Sequence, residues 1–279
     1  MNASSLTTIM ENNRRAGRLT RIPFLPAAFP GKEEFWTVLR ELTAHGADII
    51  EIGVPFSDPV ADGPDVSEAS RLALANGGSL DYIFEGLARY RADLPAGLLL
   101  MGYVNPFIQY GWARSALNIS SGEPRAIVAA SLGFLAEKLS QAGVNGLIVP
   151  DLPLEESGPW LAALKPLGLN LISLVGPNTS LETMKAYAAK GGGGYAYVIS
   201  AMGVTGVRES LPSEAIDTLK RARQAFALPL ALGFGLSSPA QLQNLPLGDR
   251  PEGAVFGSAL IRHLSAGGLV RDFMAPWLT

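Results

Sequence analysis

Two carboxylates carry the sequence's most suggestive chemistry: Glu51, inside the apolar run DIIEIG, and Asp62, eleven residues on in the stretch GVPFSDPVADGPD. Side chains alternate along a strand, so Glu51 shares a face with Ile49 and Gly53. If that face is the interior of a barrel, apolar surroundings raise the carboxyl pKa toward the range useful for general acid–base work. The other reading, a Glu at a strand–helix interface, also leaves a buried carboxylate in need of a partner. Asp62 lies among prolines and glycines; if that loop folds inward, two carboxylates face one substrate. Asp58 in SDP and Asp65 after GP read as turn or helix-capping residues. Asp151, in IVPDLP, stands at the height of a barrel mouth and equally suits the start of a helix.

The rest of the inventory narrows the chemistry. Among 279 residues there is no cysteine and there are two histidines, His45 and His263. A thiol nucleophile, a disulfide framework, a Cys-containing zinc site and a three-His metal site are therefore excluded within the chain. The lysines (Lys32, Lys138, Lys165, Lys185, Lys190, Lys220) fall in helical stretches or at their ends, so none is placed for a Schiff base inside a barrel. We expect no metal and no cofactor. The net charge of −3, with no basic stripe, argues against nucleic acid as a partner. Hydrophobic residues make up 48% of the chain, but the apolar runs are short and broken by Gly, Pro or Asp, which argues against a membrane protein. The start, MNASSLTTIMENNRRAGR, lacks the apolar core of a secretory signal, so a cytoplasmic protein is expected.

Positioning these groups requires a scaffold, and the hydrophobic pattern supplies one. Eight apolar runs recur: Ile22–Ala27, Asp48–Gly53, Gly97–Tyr103, Gly146–Pro150, Leu169–Leu174, Gly194–Ser200, Leu228–Leu232 and Gly253–Phe256. Helical periodicity fills the intervals, as in Phe35, Trp36, Leu39 and Leu42. HGADIIEIG, AGVNGLIVPD and KGGGGYAYVIS form a weak internal repeat of helix-stopping Gly, turn and strand. Near-continuous apolar strands alternating with helices indicate an α/β fold, a (β/α)8 TIM barrel in a single domain spanning residues 1–279, with a doubly wound open sheet as the alternative. Leu6, Ile9 and Met10 predict an N-terminal covering helix, and the interval Asp58 to Arg91 has room for an extra helix after strand 2. Residues 112–124, which include NISSGEP, read as a surface insertion.

In such a barrel the catalytic groups lie at the carboxyl ends of the strands, and phosphate sites follow strands 7 and 8. GVTG (Gly203–Gly206), GFGLSS (Gly233–Ser238) and GSA (Gly257–Ala259) fall at those places, where strand, glycine, Ser and helix can present N–H groups to an anion. Glycine also ends strands for purely conformational reasons. Tyr103, Asn105 and Tyr197 stand at strand ends as pocket or core polar groups, and Phe24 and Met101 read most simply as core.

Taken together, GADIIEIGVPFSDPVADGP (Gly46–Pro64), MGYVNPFIQYG (Met101–Gly111), GVNGLIVPDLPLEES (Gly143–Ser157), GYAYVISAMGVTG (Gly194–Gly206), GFGLSSP (Gly233–Pro239) and GSAL (Gly257–Leu260) resemble the tryptophan synthase alpha chain family. The resemblance implies a lyase of tryptophan biosynthesis that cleaves indole-3-glycerol phosphate to indole and glyceraldehyde 3-phosphate. By the same resemblance Glu51 is the proton shuttle, Asp62 the partner of the indole N–H and Tyr197 the neighbour that orients the pair. Phe24 and Leu100 flank the indole, and Gly206, Gly235, Gly257 and Ser258 hold the phosphate. It further implies a beta chain as partner in an alpha2-beta2 heterotetramer, met near Asp58, Asn105 and Pro106. The chain departs from the family's usual Gly-Asp-Pro or Gly-Tyr-Pro turn after strand 1, reading AAFPG (Ala27–Gly31), and in the insertion. Two other readings compete: another phosphate-binding barrel, such as a sugar-phosphate isomerase or an indole-glycerol-phosphate synthase, the latter's ring closure expected to need a strand-borne lysine missing here, and a regulatory or scaffolding homologue that binds ligand without turnover.

Overall fold

The computed structural model describes residues 5–114, 123–200, 211–233, 235–243 and 245–278. The strands are β1 (Thr20–Pro26), β2 (Ile49–Gly53), β3 (Gly97–Met101), β4 (Gly146–Ile148), β5 (Asn170–Leu171), β6 (Ser173–Val175), β7 (Ala196–Ile199), β8 (Leu230–Gly233) and β9 (Gly253–Phe256). The helices are α1 (Leu6–Arg15), α2 (Lys32–Ala44), α3 (Pro64–Ala75), α4 (Leu80–Tyr90), α5 (Val104–Arg114) and α6 (Pro124–Gln141), followed by α7 (Ser157–Leu164), α8 (Leu181–Lys190), α9 (Ser213–Ala225), α10 (Ala240–Gln243), α11 (Ser258–Ser265) and α12 (Val270–Met274).

Each strand pairs in parallel with its neighbours, in the order β5-β4-β3-β2-β1-β9-β8-β7-β6. The two ends of that order, β5 and β6, are consecutive in the chain, and this is how the sheet becomes a barrel. Eight strands are expected from the sequence; the fifth is divided at Ile172, because its first half bonds β4 while its second half bonds β7. The Ile172 N–H donates to Leu147 O at 2.9 Å across that joint. Strands β1, β2, β3, β8 and β9 are buried along their whole length, which is why they read as continuous apolar runs rather than as alternation.

The N-terminal helix closes the amino-terminal end of the barrel. Leu6 and Met10 are fully buried, and the helix starts on a Ser5 side chain that accepts from the Thr8 N–H at 3.2 Å. Thr7 pins it to the barrel by donating to Gly194 O at 2.6 Å. Beneath it, Arg21 and Asp48 pair at 3.0 Å and Arg223 and Glu252 at 2.8 Å, so the charges at this end serve cohesion rather than chemistry. Two helices, α3 and α4, occupy the interval between β2 and β3. Of the 112–124 stretch, residues 115–122 lie outside the described residues; its ends complete α5 and begin α6.

After β1 the chain turns through Ala28, which has φ of 70° and is fully buried. That left-handed conformation favours glycine. Ala28, in the AAFPG departure, thus takes a backbone conformation better suited to glycine.

Candidate active site

The register of the parallel strands decides which side chains meet inside the barrel. Phe24, Glu51 and Leu99 are cross-strand partners, and so are Leu174, Tyr197 and Ala231. Partners in register share a face. Phe24, Glu51, Leu174 and Tyr197 all line one cavity of about 800 Å³ at the carboxyl ends of the strands, so that face is the interior. Leu100, one residue past Leu99, points to the helix layer and is absent from the lining. Met101, of the inward parity, forms that wall instead. Leu100, expected at the ligand, is thus one position away from the residue that lines the cavity.

Glu51 is completely buried. The Tyr195 hydroxyl donates to its Oε1 at 2.6 Å, while Oε2 has no hydrogen-bond partner among the described residues. Burial lifts the carboxyl from an ordinary 4.5 to about 8, and the Tyr195 hydrogen bond opposes that rise. The sequence draws attention to Tyr197 and passes over Tyr195. Both lie on the inward face of GYAY, but the one bonded to Glu51 is Tyr195. Tyr197 is buried beside it, with ring centroids 6.4 Å apart, and its hydroxyl is held protonated first by burial and then by the nearby Glu51 and Asp62 charges. Gly233 makes room for it: a Cβ there would stand 2.2 Å from the Tyr197 Oη.

Asp62 reaches the same cavity because its loop folds inward. The Asp62 N–H donates to Pro59 O at 3.0 Å, closing a turn, and the Ala61 N–H donates to the Tyr103 Oη at 3.0 Å, anchoring that turn over the mouth. The Tyr103 ring is held in turn by Phe56, with ring centroids 5.5 Å apart. Desolvation raises Asp62 from an ordinary 3.8 to about 6, against a hydrogen bond from Tyr103. The other acids of this region are not among the described residues that line the cavity. The Asp151 Oδ1 accepts from the Val104 N–H at 2.9 Å at the start of α5, Asp65 sits in the first turn of α3, and Asp58 is exposed.

Across the cavity, Gly235, Gly257 and Ser258 line the opposite wall, with Ser258 opening α11. Gly235 has φ of 93°, and a Cβ on Gly257 would stand 2.8 Å from the Phe24 ring. Helix N-termini offer unpaired N–H groups and a positive dipole end, which suits an anion. Gly206 lies outside the described residues. Among the described residues no lysine or histidine lines the cavity, and no cluster of His, Cys, Asp and Glu is arranged to hold a metal. No helix among the described residues is long and apolar enough to cross a membrane.

The sequence profile of the family described as tryptophan synthase alpha chain matches residues 10–271. The alpha chain of Desulfovibrio desulfuricans is 53% identical over 262 residues, covering 94% of each chain. That of Nitratidesulfovibrio vulgaris strain DP4 is 51% identical over 277 residues, covering 99% of each. Among solved structures, Mycobacterium tuberculosis tryptophan synthase superposes with a TM-score of 0.81 at 30% identity, over 99% of this chain and 96% of the other. The alpha subunit from Legionella pneumophila gives 0.78 at 26%, over 99% and 96%. A full-length sequence match, a barrel of the same shape and paired carboxylates in its mouth agree: the chain belongs to the tryptophan synthase alpha chain family.

Proposed function

We propose that this cavity cleaves indole-3-glycerol phosphate to indole and glyceraldehyde 3-phosphate, with Glu51 and Asp62 as its catalytic pair. The chain is a carbon–carbon lyase of tryptophan biosynthesis. The observation that carries the residue roles is the separation of two carboxyls in one cavity, one at about 8 and the other at about 6. Near neutral pH Glu51 then holds its proton and Asp62 has lost its own, so the site offers an acid and a base together.

The reaction follows from that division. Glu51 gives its proton to the ring carbon that bears the glycerol chain. The positive charge that develops at the ring nitrogen is balanced by the Asp62 carboxylate accepting the N–H. Glu51, now a carboxylate, takes the proton from the hydroxyl on the carbon attached to the ring. The C–C bond breaks, its electrons restore the indole, and the hydroxyl carbon leaves as the aldehyde. Tyr195 steadies Glu51 through both transfers, and Tyr197 lies alongside. Phe24 and Met101 supply apolar wall for the ring, and Gly235, Gly257 and Ser258 take the phosphate. That no lysine is among the described residues of this wall disfavours the synthase alternative.

The beta chain is the partner that consumes the indole, and we place its contact near the exposed Asp58 and Asn105, beside Val60, which is 82% exposed. An alpha2-beta2 assembly and a cytoplasmic setting complete the proposal. Indole release by the purified chain, alone and with a beta chain, tests the reaction. Glu51→Gln and Asp62→Asn should each lose about a hundred-fold or more in kcat. A wild type that releases no more indole than either variant under both conditions sinks it.

A further inference from the structure

Among the described residues that line the cavity, one charged side chain, Arg262, is left unused by this reaction. Arg262 lies on α11, four residues after Ser258 and on the same helix face. Long side chains on a helix lean back toward its N-terminus, so the guanidinium returns over the first turn, toward Gly257 and Ser258. Its Nη1 donates to the Oδ2 of Asp65, on the first turn of α3 and three residues past Asp62. Among the described residues it is the one basic side chain in a lining that also contains Glu51 and Asp62. The buried, unpartnered Oε2 of Glu51 independently marks this cavity as built around a ligand.

A phosphorylated ligand brings two negative charges into a mouth that already holds carboxylates, and the α11 N-terminus supplies only partial charge against them. A guanidinium has five N–H donors in a fixed fork. Asp65 engages one edge and leaves the others available. We propose that Arg262 is a binding residue for the phosphomonoester and sets the preference for phosphorylated over unphosphorylated ligand, with Asp65 as the positioning residue that aims it. This rests on the reading above that the ligand carries phosphate. Because Asp65 follows Asp62 so closely, the same arginine joins the phosphate pole to the segment that carries the second catalytic acid.

The test compares wild type with Arg262→Gln, Arg262→Lys and Asp65→Asn, each first shown to be folded by thermal unfolding. Calorimetry with glyceraldehyde 3-phosphate and with inorganic phosphate reads binding without turnover. Kinetics with indole-3-glycerol phosphate and with its dephosphorylated analogue read selectivity. Arg262→Gln should weaken glyceraldehyde 3-phosphate binding about ten-fold and lower the preference for the phosphorylated substrate by a similar factor, the change falling in KM rather than kcat. Arg262→Lys should recover part of that loss. Asp65→Asn should raise KM less, and add nothing in the Arg262→Gln background. A folded Arg262→Gln with wild-type affinity for glyceraldehyde 3-phosphate overturns the proposal. So does equal loss for the phosphorylated and dephosphorylated substrates, which would make the pair a structural tie. A wild type that binds glyceraldehyde 3-phosphate yet releases no indole counts against the lyase reading alone, because the affinity comparison still decides the role of Arg262.

Discussion

At Glu51 a single hydrogen bond is the adjustable part of the chemistry. Burial pushes its carboxyl up to about 8 and the Tyr195 hydroxyl pulls the other way. Activity should therefore fall below about pH 6, as Asp62 gains a proton, and above about pH 8, as Glu51 loses its own. Removing the Tyr195 donor leaves the carboxylate form less stabilised. In Tyr195→Phe the alkaline limb of kcat/KM should move to higher pH while the acid limb stays, which a pH–rate profile set beside wild type will show. Glu51 stands out in the sequence because a lone acid in an apolar strand has few other uses, whereas Asp62 depends on its loop folding inward, which spacing alone leaves open. Tyr195 is not. Alternation turns both tyrosines inward, but Glu51 lies on β2, which is not a neighbour of β7, so only barrel closure decides which tyrosine meets it.

Elements settle what residue types leave open. Strand positions were readable from apolar runs and their glycine stops, whereas facing was not, because strands buried on both sides show no alternation to read. That is why Leu100 and Met101 exchange roles. Leu100→Ala, beneath the helix layer and fully buried, should cost about 2–5 kcal/mol of stability with KM unchanged. Met101→Ala should raise KM by opening the wall against the ring. Denaturant unfolding and steady-state kinetics on the two variants separate these outcomes, and a KM effect in Leu100→Ala with none in Met101→Ala would reverse the facing. The division of the fifth strand at Ile172 was equally hidden, since the run Leu169–Leu174 is uniformly apolar and the change of partner belongs to the closed sheet.

For the whole molecule, the active site is a stability liability that depends on pH. Between an ordinary 4.5 and about 8, folded Glu51 keeps a proton that the unfolded chain has released. The native state then binds more protons than the unfolded state, so stability falls as pH rises through this window, by up to about 1.4 kcal/mol per pH unit. Asp62 adds the same sign between 3.8 and about 6. Glu51→Gln should flatten the upper part of this dependence and be more stable than wild type at pH 8.5, as urea unfolding at pH 5, 6.5 and 8.5 will measure. Barrel class, covering helix and the α3–α4 pair were legible because each rests on local periodicity. The Arg21–Asp48 and Arg223–Glu252 pairs, which join distant segments, were not.

The way the barrel closes has a mechanical consequence. The first and last strands meet at the β1–β9 joint, where cross-strand pairs from Thr20 with Gly253 to Pro23 with Phe256 knit them together. The place where the ladder changes partner, at Ile172, is crossed by the backbone itself. One joint is thus secured by hydrogen bonds where covalent continuity is missing, and the other by covalent continuity where the ladder changes partner. The ring that carries the two acids has no joint at which both fail together.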